Sequence, residues 1–183
     1  MTAKCLTAEE RKRWTANMKI LNLLLPSALL LDITALWQDA SKLPSRNEIL
    51  KTIEVFASSP LSPEGKEAAA TIAKFAEYIH DVSVVISPGV APWLGSGEPP
   101  KHSETLLAAY VAGNIRSQLH SRKNANDSYA GVQQVIKTYA QLQKAEKTLS
   151  IPEVQKFIDL EAKKELKKYL EAVLKREEKD KVK

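Results

Sequence analysis

Apolar residues recur along most of this chain at spacings of three and four, the period of helices with one buried face. Ile49, Leu50, Ile53 and Phe56 form the first clear stripe. Ser45 and Glu48 stand just ahead of it, three residues apart. That is a capping box, in which each side chain satisfies a free amide at a helix start. Pro60 and Pro63 end the element, because proline has no N–H to continue a helix. Ser62-Pro63-Glu64 opens the next helix with a hydroxyl cap, a first-turn proline and an acid near the positive end of the dipole. Its apolar face is Ala68, Ile72, Phe75, Ala76 and Ile79.

The pattern changes beyond His80. The run Val82-Ser83-Val84-Val85-Ile86 is rich in β-branched residues, and five residues admit either the last turns of a helix or a short strand at 82–86. A third helix is predicted from a Ser103 cap, with Leu107, Tyr110, Val111, Ile115 and Leu119 on one face. The polar segment 121–128 reads as a connection. Asp127 or Ser128 then starts a helix carrying Tyr129, Val132, Val135, Ile136, Tyr139, Leu142 and Leu149. Ser150 and Glu153 make a second capping box around Pro152. The final helix carries Val154, Phe157, Ile158, Ala162, Leu166, Tyr169, Leu170, Val173 and Leu174, and it packs on its own bundle or on a second copy. Nothing apolar but Val182 follows Leu174, so 176–183 is expected to fray as a charged tail. These elements predict an all-α protein, a single-domain helical bundle of about five to six helices over 36–175.

Two segments depart from this plan. Ile20–Leu31 is the most apolar window of the chain. Its twelve residues make about 18 Å of helix, too short to cross a hydrocarbon core of about 30 Å, so no transmembrane span is expected there. Two readings of 1–35 stay open. One is a signal peptide starting at Met18, with Lys19 as its positive end and Ile33-Thr34-Ala35 as its cleavage triplet. The other is a first helix over Ala8–Leu25, with a core helix starting near Pro26. The first places the protein in an exported or periplasmic fraction, the second in the cytoplasm.

The second departure is the loop 87–103, which holds three of the six glycines and four of the nine prolines, with Trp93 and Leu94 at its middle. Long loops in compact domains tend to be functional or mobile. Trp93 either folds back to plug one end of the bundle or, stiffened by its flanking prolines, forms a contact surface.

Charge and composition narrow the chemistry. The formal charge of +5 over 183 residues lies entirely in 1–19 and 153–183, and the body between them is neutral. In the second of these stretches bases alternate with acids, which suits a solvated helix face better than a nucleic-acid footprint. The one cysteine, Cys5, excludes an internal disulfide, and no Cys/His set has zinc spacing. Gly95–Lys101 lacks the Gly-Lys-Ser/Thr ending of a phosphate loop, and no G-x-S-x-G elbow is present. The sequence carries no catalytic signature and implies no cofactor.

Glu77 and His80 share a helix face at i,i+3, but a di-iron bundle needs a second such pair and none exists. Trp93, Leu94, His102, Glu104 and Arg116 form the candidate binding set around the long loop. The expectation is therefore a small helical binding protein, with a protein partner or a second copy, contacting it through 87–103. The alternative is a metal-binding or enzymatic helical protein using Glu77/His80 or the neighbourhood of His102.

Overall fold

The computed structural model describes residues 43–95 and 98–181. The two readings of 1–35 lie outside the described residues. The capping box forms as its spacing requires: the Ser45 amide donates to Glu48 Oε2 at 2.7 Å, and the Glu48 amide donates to Ser45 Oγ at 3.4 Å. It starts α1 (Arg46–Ser58), which buries Ile49, Ile53 and Phe56. Each such side chain taken fully from water contributes about 1.5–3 kcal/mol. Ser62 Oγ accepts from the Gly65 amide at 3.0 Å and caps α2 (Pro63–Tyr78).

The next helix, α3 (Ser103–Ser121), runs through the middle of the bundle and contacts α1, α2 and α4 (Ser128–Ala145). A central helix is covered over most of its circumference, and α3 accordingly buries Leu106, Ala109, Tyr110, Ala112, Asn114 and Ile115, with Glu104 and His120 near its two ends exposed. A one-face reading therefore missed Leu106, which is fully buried, while Leu107 is only half-buried. The most extensive helix pairing is α3 with α4. It depends on two glycines. A Cβ on Gly113 would come within 2.5 Å of the Ala130 carbonyl oxygen, and one on Gly131 within 2.6 Å of the Tyr110 ring. The axes approach as closely as they do because those atoms are missing.

Two further helices, α5 (Pro152–Ala162) and α6 (Leu166–Lys181), complete the fold. Among the described residues the protein is thus an all-helical bundle of six α-helices with one short 3-10 turn and no strand.

Several boundaries differ from the sequence reading. Ser103 is the first residue of α3 and does not cap it; the cap position is His102, whose left-handed φ of 67° turns the chain into the helix. Helix α4 ends at Ala145, and Leu149 follows it in a turn. Ser150 does not cap α5 either. Ile151 takes that place without a side-chain cap, and Pro152 fills the first turn. The single long helix expected from Val154 onward is two helices, broken at 163–165 where Lys164 adopts φ 60°. Helix α6 continues past Leu174 to Lys181, and Glu177 accepts from the Gly89 amide at 2.9 Å, so 176–181 is helix where fraying was expected.

The segment 82–86 is neither the end of α2 nor a strand. It is extended, and side chains take the place of a partner strand. The Ser83 amide donates to Gln118 Oε1 at 2.9 Å, and Gln118 Nε2 donates back to the Ser83 carbonyl at 2.7 Å. The Val85 amide donates to Asn126 Oδ1 at 2.9 Å, and the Tyr110 hydroxyl donates to the Val85 carbonyl at 2.8 Å. Asn114, fully buried, joins the two halves of this network: its Nδ2 donates to Asn126 Oδ1, and its Oδ1 accepts from Gln118 Nε2 and from the Asp127 amide. Burying so many amide groups is tolerable because each has a partner.

Candidate functional site

The long loop is less open than its composition suggests. Ser87 accepts from the Val90 and Ala91 amides, and Val90 and Ala91 are buried. Pro92–Leu94 then forms the 3-10 turn. Trp93 is 3% exposed and meets the Phe157 ring edge-on, with centroids 6.4 Å apart and planes at 84°. Its Nε1 is buried and has no hydrogen-bond partner among the described residues. Leu94, the next residue, stays 37% exposed.

The far end of the loop is tied to the end of α4. Glu146 Oε2 accepts from Lys101 Nζ at 2.6 Å and from His102 Nε2 at 3.2 Å. The Lys101 hydrogen bond, then the His102 hydrogen bond, holds the Glu146 carboxyl below the usual carboxylate range. Tyr110, at the centre of the amide network, shows the opposite effect: burial pushes its phenol above the usual range, partly offset by the polar side chains of Ser128, Asn114 and Asn126 around it. Both are accounted for by anchoring, of the loop and of the extended segment.

The remaining candidate residues separate. Arg116 Nη2 donates to Gln134 Oε1 at 2.7 Å across the α3–α4 contact. His80 is exposed, its carbonyl accepting from Asn124 Nδ2 at 3.0 Å, and it forms no ion pair with Glu77. No group of three His, Cys, Asp or Glu side chains able to hold a metal exists among the described residues. No described helix is long and apolar enough to cross a membrane.

Glu77 and Glu104, read separately from the sequence, come together on one feature. They line an apolar groove of about 810 Å³ between α2 and α3. One wall is the face of α2 with Lys66, Ala69, Ala70, Ala73, Ala76 and Glu77; the other includes Glu104, Leu107, Ala108 and Val111 of α3. Phe56, Pro60, Val84 and Ile86 complete the lining, and Ile86 is 50% exposed. The groove exists because α2 presents alanine where bulkier side chains would fill the space beside α3. Sequence reading placed Ala68, Ile72 and Phe75 on the buried side of α2 and overlooked Ala69, Ala70 and Ala73. The available signal was the run of alanines itself, since a helix that is apolar on more than one side has more than one neighbour to meet.

Comparison with family models, with curated proteins and with solved structures finds no match to this chain.

Proposed function

We propose that this protein acts by binding, and that its contact surface is the α2–α3 groove framed by the two ends of the 87–103 segment. The observation that carries this reading is the groove itself. It joins Val84 and Ile86, just before the segment, to Glu104 and Thr105, just after it, and no described residue covers its apolar floor. Apolar surface left open in this way, with charges at its edge, has the character of a recognition site. The segment contributes by position: Trp93 is locked in the core and Lys101 and His102 are tied to Glu146, so the ends that flank the groove are held in place. Its middle is scaffold, and its base is the contact.

Uptake of an environment-sensitive naphthalene dye by the purified chain tests this reading. Fluorescence enhancement that disappears in Ala73→Glu and persists in Leu94→Ser is the expected result. Enhancement lost in Leu94→Ser and unaffected by Ala73→Glu would return the contact to the loop.

A further inference from the structure

The outward face of α2 carries Lys66, Ala70, Ala73 and Glu77, all exposed. Their spacing of i, i+4, i+7 and i+11 keeps them within one narrow stripe about 16 Å long. The stripe reads the same under reversal of chain direction with charge exchanged. Its midpoint falls between Ala70 and Ala73, with a base at one end and an acid at the other. Neither Lys66 nor Glu77 forms an ion pair among the described residues.

We infer that the occupant of the groove is a second copy of this chain, docked through α2 lying antiparallel to its twin. This rests on the binding reading above and names its partner. A twofold axis makes contacts reciprocal, so that a residue i meeting j requires j to meet i. Placed on the midpoint of the stripe, the axis sets Ala70 against Ala73 of the other copy, and Lys66 against Glu77 of the other copy, twice over. The alanines let the two helices approach at the short end of the usual 8–10 Å interaxial range. That approach brings Ile86, Val84 and Leu107 against the incoming helix, which covers the apolar floor. The parallel arrangement would set Lys66 against Lys66 and Glu77 against Glu77, and is disfavoured by charge. Glu104 lies at the groove edge and keeps its solvent in this arrangement.

Charge reversal in the full-length chain, read by sedimentation velocity across a concentration series, tests the inference. Lys66→Glu alone and Glu77→Lys alone each create two like-charge contacts and are expected to weaken dimerisation roughly tenfold. The double variant, Lys66→Glu with Glu77→Lys, restores both pairs and is expected to dimerise about as well as the natural chain. Circular dichroism on each variant shows that the helices are intact. A chain that stays monomeric at every concentration, or a dimer that the double reversal does not rescue, overturns the inference. Dye uptake in the same samples separates the two claims. A monomer that takes up dye in the groove loses the twofold pairing and keeps the binding surface, whereas one that takes up none loses both.

Discussion

Small residues line two faces in this molecule, and the bundle treats them in opposite ways. At the α3–α4 contact, Gly113 and Gly131 are covered: each lets a backbone or a ring come where a methyl group would collide. On α2, Ala70 and Ala73 offer the same close approach to nothing within the described chain. The difference shows what a short side chain means in context. Covered, it records a contact already made, and its cost of substitution is steric. Where no described residue covers it, on a groove with an apolar floor, it leaves the same room unfilled.

Substitutions on the covered side should be expensive. Trp93→Ala removes the edge-on partner of Phe157 and opens a cavity, so a loss of about 3–5 kcal/mol is expected in urea unfolding. Trp93→Phe keeps a ring there and removes the unpartnered N–H; its change should stay within about 1 kcal/mol. Gly131→Ala and Gly113→Ala come next, at about 1–3 kcal/mol each, because the new methyl meets the Tyr110 ring or the Ala130 carbonyl. If either proved neutral, the α3–α4 approach would be looser than described and the contrast with α2 would fail. Asn126→Ala deprives the Val85 amide and Asn114 Nδ2 of their acceptor, with a loss of about 1 kcal/mol, since water can reach the Val85 side. On the uncovered side, Ala73→Glu should change monomer stability by no more than about 0.5 kcal/mol, as expected for an exposed helical position.

The smallest effect concerns pH. Glu146 is held below its ordinary carboxyl value by Lys101 and His102, so the folded state favours its ionised form. That contribution is fully present above the ordinary carboxyl range and is lost as pH falls through the lowered value. Glu146→Gln should therefore lower the melting temperature slightly at neutral pH and leave it equal to the parent's in strong acid. A constant gap across the range would mean that the carboxylate charge is not what ties the loop to α4.

The local half of this structure was legible in the chain. Ser45 with Glu48, Ser62 with Pro63, and Asp127 each act through partners three residues away, and their geometry follows from spacing alone. What sequence could not supply was the long-range half. The extended run at 82–86 takes its hydrogen bonds from side chains 35 and 41 residues distant, so no local period announces it. The break at Lys164 has no glycine or proline to mark it, and a continuous apolar stripe runs through it. Helix α3 hid its central position because a helix buried over most of its circumference loses the one-sided pattern that identifies an outer one. The candidate residues followed the same division. Glu77 and Glu104 were visible as charges, but their meeting on one groove depends on how α2 and α3 pack. Trp93 was visible as an exception in a polar loop, and only its contact with Phe157 shows it to be core.

Amide hydrogen exchange of the full-length chain at low and high protein concentration tests the contrast most directly. Protection of residues 66–77 in α2 is expected to rise with concentration, while protection of 109–119 in α3 and 130–139 in α4 stays constant. Exchange in α2 that does not change with concentration, in a chain concentrated well beyond ordinary dimer affinities, would contradict it.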